Sequence, residues 1–311
     1  MQKDFSSARR KFVQHSLVVS AGLAISPSIL AHPKRPQDLE KITILHTNDT
    51  HSNIDSFPLN HPKFPNQGGV ARRMTLVNDI RAQEENVLLL DAGDIFQGTP
   101  YFNKFNGTLE MKLMSQLKYD AATMGNHDFD AGLEGFHNAL AFANFPFLCA
   151  NYDFKDTILK DKTKPFHIFQ KGNRRVGVFG LGIQLEGLVS KSYYGDTIYN
   201  DPIAIANEIA PRLRYDEKCD LVICLSHLGH FSRTTTITDP VLAKSSSDID
   251  LIIGGHTHTF MDKPEIHENA LGQKVLINQV GWGGLRLGRV DFLFDDSGKA
   301  KTNDWKVLPI H

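Results

Sequence analysis

The hydrophobic positions of the chain fall into short apolar runs that alternate with longer segments of helical periodicity from Leu39 onward. Runs of this kind, bounded by glycine or polar residues, are typical of buried strands. The first strands are predicted at residues 41–46, 87–91, 119–124, 175–181, 220–225 and 249–253, and the clearest helices at 68–83 and 109–117. Such an alternation predicts strand–helix–strand units, and therefore an α/β domain.

The pattern changes after Lys274, where strands at 275–279, 287–294 and 305–308 follow one another without a long helix between them. There is no internal repeat, low-complexity tract or obvious linker. We therefore expect one α/β domain over residues 39–311.

Composition excludes some functions and favours others. The 311 residues carry a formal net charge of −1, which argues against binding a nucleic-acid polymer or a membrane through bulk charge. The chain also contains 14 histidines, and this number makes a metal site worth seeking.

The first residues resemble an export signal. Arg9-Arg10 precede Phe12 and a weakly apolar run at 16–25, which is too short for a membrane span. Residues 1–31 are therefore predicted to be a twin-arginine signal peptide, and the protein to be periplasmic or extracellular with no membrane span after its removal. A chance arginine pair in an N-terminal tail is the alternative.

Five separate apolar runs end in residues that bind metals. In chain order these residues are Asp49 and His51, Asp94, Asn126 and His127, His227, and finally His256 and His258. If the runs lie side by side in one sheet, these side chains meet along one edge of it. Side chains of residues two apart on an extended chain point the same way. The pair Asp49 and His51 is therefore predicted to bind one ion, and so is the pair His256 and His258.

The types of ligand narrow the choice of metal ion. Carboxylates, an amide oxygen and several imidazoles suit divalent Mn, Fe, Co or Zn better than Mg or Ca, which prefer oxygen ligands alone. Seven good ligands with one shared carboxylate make a two-metal cluster. Two ions about 3.5–4 Å apart polarise a phosphoryl group, generate a hydroxide nucleophile from water and stabilise the in-line transition state.

These residues form a set of motifs that resembles a known family. The motifs, in order, are Asp49-x-His51, Gly93-Asp94, Gly125-Asn126-His127-Asp128, His227 and Gly255-His256-x-His258. They are similar in order and chemistry to the five motifs of the calcineurin-like metallophosphoesterases. The longer strings at 46–51, 91–100 and 125–130 are similar to the bacterial 5′-nucleotidase and UDP-sugar hydrolase branch. Two positions depart from that branch: Asp128 stands where Glu is frequent, and His258 where some members have Gln.

The resemblance implies a fold and a set of roles. The fold is a four-layer αββα sandwich of two mixed β-sheets flanked by helices, and its second sheet uses strands of the strand-rich final third. One metal would be held by Asp49, His51, Asp94 and His258, and the other by Asp94, Asn126, His227 and His256. His127 would face the substrate without binding metal, oriented by Asp130, and would stabilise the transition state or protonate the leaving oxygen.

The resemblance also implies phosphoester hydrolysis, with small phosphorylated substrates such as 5′-nucleotides. Two-domain nucleotidases of this branch continue into a C-terminal domain that binds the base and the phosphate, and this chain ends at His311. Arg233 is a candidate for a replacement phosphate contact. Two alternatives stay open: a metal-binding subunit whose substrate domain belongs to a separate chain, and a hydrolase of a non-nucleotide phosphoester.

Overall fold

Strands such as Val87–Asp91, Leu221–Ser226 and Leu251–Gly254 are buried on both faces, which explains why the sequence shows continuous apolar runs there. The computed structural model describes residues 40–232, 237–295, 298 and 300–311. The predicted signal at residues 1–31 and the candidate Arg233 lie outside the described residues. Within the described part of the chain, no helix has the length and apolar character needed to cross a membrane.

Thirteen strands and seven α-helices lie in the described ranges. The strands are β1 (Glu40–Thr47), β2 (Val87–Asp91), β3 (Ala121–Ala122), β4 (Tyr152–Asp153), β5 (Phe166–Lys171), β6 (Arg174–Leu181), β7 (Ile198–Tyr199), β8 (Leu221–Ser226), β9 (Leu251–Gly254), β10 (Glu265–Glu268), β11 (Lys274–Asn278), β12 (Arg286–Phe294) and β13 (Ala300–Pro309). The helices are α1 (Val70–Gln83), α2 (Pro100–Phe105), α3 (Thr108–Gln116), α4 (Gly132–Leu140), α5 (Lys191–Tyr194), α6 (Pro202–Pro211) and α7 (Asp239–Ser245). A 3-10 turn covers His127–Phe129 and a π turn covers Arg212–Asp216.

Two mixed sheets carry most of the strands. The first has the order β13-β12-β1-β2-β3, and the second has the order β10-β11-β9-β8-β6-β5. In the first sheet β1, β2 and β3 run parallel, whereas β12 pairs antiparallel with β1 and β13. In the second sheet β6, β8, β9 and β11 run parallel and the outer strands β5 and β10 are antiparallel. A small pair of strands, β4 and β7, stands apart from both.

The two sheets pack face to face. Alternate residues of β2 divide between two cores: Leu88 and Leu90 face the other sheet, while Val87 and Leu89 face the helices. Leu88 and Leu90 meet second-sheet residues such as Ile223 in a core that both sheets share. Burial of both faces removes most of the apolar surface of each strand from water, which is the main stabilising contribution to such a sandwich.

Helices cover the outer faces. The outer face of the first sheet packs against α1, α3 and α4, through residues such as Val77 and Met111. The outer face of the second sheet packs against α6 and α7, through residues such as Ile209 and Leu242. The layers are therefore helix, sheet, sheet and helix, and the predicted four-layer fold is confirmed.

His46 shows how closely the inner core is packed. This imidazole on β1 is fully buried, and burial lowers its pKa to about 4, so that it lies neutral in the interior. Gly288 on β12 stands opposite His46 in the strand register. A Cβ at Gly288 would overlap the His46 ring, so only glycine fits there.

The structure does not meet the condition of a single sheet that was considered from the sequence. The five apolar runs that end in metal-capable residues lie in two sheets, because β1, β2 and β3 belong to the first and β8 and β9 to the second. The strand-rich final third contributes β11 to the second sheet, as expected. Its strands β12 and β13 return to the first sheet, where Val290 pairs with Ile44 across 246 positions of sequence.

Candidate functional site

The carboxyl ends of strands from both sheets converge on one place. His227 directly follows β8 of the second sheet, and its Nδ1 lies 2.7 Å from the carbonyl oxygen of Ala92, which directly follows β2 of the first. The predicted ligands therefore meet where the edges of two sheets face one another. Sites at the carboxyl ends of parallel strands are common in α/β folds, because the loops there are free to carry polar side chains.

A first cluster contains four of the predicted ligands. One ligand atom from each of Asp49, His51, Asp94 and His258 lies within 4.8 Å of the others. The Nε2 atoms of His51 and His258 are 2.9 Å apart, and Nε2 of His258 is 3.4 Å from Oδ1 of Asp49. Two imidazole nitrogens and two carboxylates that face a common centre are a suitable ligand set for a divalent transition metal.

A second cluster shares Asp94 with the first. Ligand atoms of Asp94, His227 and His256 lie within 4.8 Å of one another, and Nε2 of His227 is 3.1 Å from Oδ2 of Asp94. Oδ1 of Asn126 lies 2.8 Å from Nδ1 of His256, so the amide oxygen borders the same space. All seven predicted ligands are thus brought together, and the arrangement, in which Asp94 belongs to both clusters, is suited to a metal pair.

Backbone carbonyls fix the tautomers of two histidines. Nδ1 of His51 lies 3.2 Å from the carbonyl oxygen of Phe96, and Nδ1 of His227 pairs with that of Ala92. A proton on Nδ1 leaves the Nε2 lone pair pointing into the clusters, as metal-binding histidines require. Nε2 of His227 is buried, and within the described structure its one polar neighbour is Oδ2 of Asp94 at 3.1 Å, so it fits a site that a cation shared with Asp94 fills.

Most of the ligands lie on a left-handed backbone. Five of the seven have positive φ angles, namely Asp49, His51, Asp94, His256 and His258, at +47° to +69°. The prediction that paired ligands project from extended chain was therefore wrong, although both pairs do converge. A left-handed residue other than glycine costs about 1 kcal/mol or more, and such strain concentrates where a functional geometry demands it.

Glycines let the loops approach each other closely. A Cβ at Gly125 would collide with Asp94 and with the His227 ring. Gly93 has a φ of +89°, and a Cβ there would collide with the backbone of Gly125. Larger residues at either position would push the Asp94 loop away from the loop that carries Asn126 and His127.

Asp128 organises the loop that presents Asp94. Its buried carboxylate accepts hydrogen bonds from the backbone N–H groups of Asp94, Ile95, Phe96 and Gly125, at 2.8–3.1 Å. Sequence reasoning noted Asp128 only as a departure from the related proteins and missed this role. The signal available was a second carboxylate three residues from the motif glycine.

Asn48 and His256 hold the carboxylate of Asp49. The Asn48 amide donates to Oδ2 of Asp49 at 2.6 Å and to the carbonyl of Gly281 at 2.6 Å. The backbone N–H of His256 donates to both oxygens of Asp49, at 3.0 and 3.1 Å. The second sheet thereby orients a ligand that belongs to the first, which sequence reasoning also missed.

His127 lies beside the first cluster, with 37% of its side chain exposed. Its ring centroid is 5.2 Å from that of His51. Residues three apart eclipse each other in a 3-10 turn, which brings Asp130 over His127 and places its Oδ2 2.8 Å from Nδ1. The Asp130 hydrogen bond raises the pKa of His127 above its usual value and therefore favours the protonated imidazole.

The ionisable groups of the second cluster are shifted in pKa in different directions. Burial alone would raise the pKa of Asp94, but His227 and His51 hold it well below its usual range. Burial likewise opposes a charge on His227, but Asp94 outweighs it and raises the pKa of His227 to about 10. His256 differs, since burial and the His227 charge lower its pKa to about 4. Of Asp94, His227 and His256, it is therefore His227 that binds a proton most tightly in the metal-free protein.

We expect metal binding at the second cluster to displace that proton. Because His227 must be neutral to bind a cation, about one proton should be released per ion, and the apparent affinity for Mn²⁺ should rise about tenfold per pH unit below pH 10. Calorimetric titrations in two buffers of different protonation enthalpy measure the released protons directly. Binding without proton release at pH 7 would contradict the Asp94–His227 ion pair in the metal-free protein.

The comparisons with known proteins agree on one family. Residues 42–260 match the sequence profile of the calcineurin-like phosphoesterases. The chain is 35% identical to the trifunctional nucleotide phosphoesterase YfkN of Bacillus subtilis, over 90% of this chain and 20% of that protein. It is 30% identical to the 5′-nucleotidase of Vibrio cholerae, over 95% of this chain and 56% of that protein.

A solved structure shares the fold. The 5′-nucleotidase precursor of Thermus thermophilus superposes with a TM-score of 0.79 at 31% identity, over 87% of this chain and 55% of that one. The chain thus spans about half the length, or less, of these relatives.

Proposed function

Because this chain belongs to the calcineurin-like phosphoesterase family, we propose that it is a metal-dependent phosphoric ester hydrolase that acts on phosphomonoesters, foremost 5′-nucleotides. The observation that carries the proposal is the pair of ligand clusters joined by Asp94, with His127 alongside. Carboxylate, amide and imidazole donors together fit Mn, Fe, Co or Zn, and the identity of the metal is left to experiment.

Bound metal ions would supply two chemical functions. Two divalent cations would supply Lewis acidity toward a phosphoryl oxygen and a nucleophile drawn from water. Asp94 holds the two ligand clusters at a fixed separation, because one carboxylate belongs to both. Asp128 keeps Asp94 in place through the backbone, so the ligands are preorganised before any ion arrives.

We assign the proton transfer to the leaving oxygen to His127, with Asp130 as the group that orients it. The His127 ring is partly exposed beside the clusters, so its Nε2 is free to meet the substrate while Nδ1 stays bound to Asp130. We infer that the imidazolium donates its proton to the leaving oxygen, or stabilises charge as it develops on the phosphoryl group.

Names of relatives support the substrate class. Several are called 5′-nucleotidases and one is called a nucleotide phosphoesterase. The experiment is phosphate release by the protein with added Mn²⁺ from 5′-AMP, glycerol 2-phosphate, bis-nitrophenyl phosphate, cyclic AMP and UDP-glucose. We expect 5′-AMP to be preferred. No turnover of any substrate despite two bound metals would favour a separate partner chain that supplies substrate binding.

We also propose that the protein is exported to the periplasm or beyond, on the basis of Arg9-Arg10 and the short apolar run after them. Replacing both arginines by lysine should leave the protein in the cytoplasm of its host. Unchanged export in fractionated cells would contradict the proposal.

A further inference from the structure

His258 is the most exposed ligand of the first cluster. Its side chain is 40% exposed, whereas those of His51 and Asp49 are 7% and 0% exposed. A backbone carbonyl fixes the ring of His51 through Nδ1. In the described part of the chain, the polar contacts of the His258 ring are made by Nε2 instead, at 2.9 Å from Nε2 of His51 and 3.4 Å from Oδ1 of Asp49. These contacts lie on the side of the ring that faces the cluster, so another group must hold the ring plane.

Trp282 covers one face of the His258 ring. The two rings are nearly parallel, with an interplanar angle of 19° and centroids 5.9 Å apart. The His51 ring meets the same imidazole edge to face, with centroids 4.9 Å apart and planes at 70°. Aromatic rings attract each other in both arrangements at centroid separations of about 4.5–7 Å. Rotation of the imidazole about its Cβ–Cγ bond would break the stack with Trp282, so the stack holds the ring plane that aims Nε2 into the cluster.

The loop that follows His51 holds Trp282 in turn. Phe57 lies in this loop, and its ring meets that of Trp282 edge to face, with centroids 5.6 Å apart and planes at 85°. The N–H of Gly283, the residue after Trp282, donates to the carbonyl of Asp49 at 2.7 Å. Gly283 has a φ of +66°, and a Cβ there would lie 3.1 Å from the Phe57 ring. The indole is therefore tied to the loop that carries two ligands of the first cluster.

The residue before Trp282 is bonded to both ligand loops. The N–H of Gly281 donates to the carbonyl of Thr259, which directly follows His258, at 2.9 Å. The carbonyl of Gly281 accepts from the Asn48 amide at 2.6 Å. Trp282 thus lies on a turn whose backbone joins the loop of His258 to the loop of Asn48. The stack is preorganised, because this turn keeps the indole in place before a metal ion binds.

We propose that Trp282 is a positioning residue of the first cluster, which sets the ring plane of His258 so that its Nε2 lone pair points at a bound metal ion. Groups that orient metal-binding histidines are usually carbonyls, carboxylates or waters bonded to the second ring nitrogen. Here an aromatic face orients the ring. The proposal rests on the proposed function only in requiring that His258 binds a metal ion, and it assigns Trp282 no contact with the substrate.

The test is calorimetric titration of the protein with Mn²⁺. Trp282→Leu should weaken the binding of one of the two ions at least about tenfold, the usual cost of losing a group that orients a metal ligand. Binding of the other ion should be unchanged, because the second cluster does not contain His258. Trp282→Phe keeps a stacking ring and should recover most of the affinity. Trp305→Leu, at an exposed tryptophan on β13, is the matched control and should change neither ion. Equal weakening of both ions, or of neither, would overturn the proposal.

A double-mutant cycle tests whether Trp282 acts through His258. His258→Ala should weaken the same ion, and Trp282→Leu added to it should weaken that ion no further, because the imidazole that Trp282 orients is gone. Losses that add in the double variant would assign Trp282 to general packing and contradict the proposal.

Fluorescence tests the stack without altering Trp282, and therefore does not depend on the folding of a Trp282 variant. The chain has two tryptophans, so Trp305→Phe leaves Trp282 as its only indole. Co²⁺ bound by His258 should quench the emission of that indole, and His258→Ala should reduce the quenching at the same Co²⁺ concentration. Unquenched emission from protein that holds two Co²⁺ ions by elemental analysis would contradict the stack.

These binding measurements separate the proposal from the proposed function. Mn²⁺ affinity that depends on Trp282, without hydrolysis of any phosphoester, would retain the positioning role and reject the function. Hydrolysis of 5′-AMP with Mn²⁺ affinity indifferent to Trp282, and with KM alone raised in Trp282→Leu, would retain the function and place Trp282 against the substrate instead.

Discussion

Asp94→Asn is expected to lower turnover of every phosphomonoester about a thousandfold and to lower the number of bound metal ions from two to one or fewer. Asp94 is the only residue common to both described clusters, and its Oδ1 also accepts the backbone N–H of His127 at 2.8 Å. Asparagine is isosteric but removes the negative charge that offsets two cations and pairs with His227. A loss of several kcal/mol of transition-state stabilisation corresponds to a rate about a thousandfold lower.

The control for this variant is Asp79→Asn, which makes the same chemical change at an exposed position on α1. It should retain full activity and two metals per chain, measured by elemental analysis after dialysis. Circular dichroism of Asp94→Asn should match that of the parent protein, since the core between the sheets is untouched. Substantial activity with two tightly bound metals in Asp94→Asn would exclude Asp94 as the bridging ligand.

The candidate site was more predictable than the sheets that build it. Polar side chains that directly follow apolar runs, such as Asp94 after β2 and His227 after β8, are a local signal, and the structure brings them together. The sheet to which each run belongs is not a local property. Strands such as β8 and β9 are apolar on both faces, so periodicity gives no information about their neighbours. The antiparallel pairing of β12 with β1 joins residues 246 positions apart, which single-sequence patterns do not encode.

The left-handed ligands escaped prediction for a related reason. Positive φ is usually signalled by glycine, whereas Asp49, His51 and His258 adopt it without one. Neighbouring loops impose that conformation: the N–H of His51 donates to the carbonyl of Asp94, and the N–H of Gly283 donates to that of Asp49. The supporting role of Asp128 depends equally on tertiary contacts, since three of its four N–H donors lie more than 30 residues away.

A helix at 202–211 was missed although local signals for it exist. Asp201 accepts the backbone N–H of Ala204 as an N-cap, and Pro202 occupies the first turn, as is typical of helix starts. The helix is short and rich in Ile and Ala, so its apolar run resembles that of a buried strand. Its capping residues were the better guide.

His127→Ala is expected to lower kcat for 5′-AMP by about 10²- to 10⁴-fold, the usual contribution of a general acid, with both metals still bound. Nothing in the described clusters requires the His127 side chain as a ligand, since its Nδ1 faces Asp130. His167→Ala, on edge strand β5 of the second sheet, is the matched control and should leave kcat for 5′-AMP unchanged. The loss for nitrophenyl phosphate should be much smaller, because nitrophenolate leaves without a proton. Equal losses for both substrates would assign His127 to charge stabilisation instead.

The pH profile tests the partnership with Asp130. Activity that needs protonated His127 falls as pH rises through its pKa, which the Asp130 hydrogen bond raises above the usual value. Asp130→Asn removes that charge, so the alkaline limb of kcat for 5′-AMP should move to lower pH. The variant should also lose less activity than His127→Ala, since the imidazole is retained, and the limb should disappear in His127→Ala. An alkaline limb in Asp130→Asn at the parent pH would mean that another group loses the proton, and Asp130 would then only position the turn.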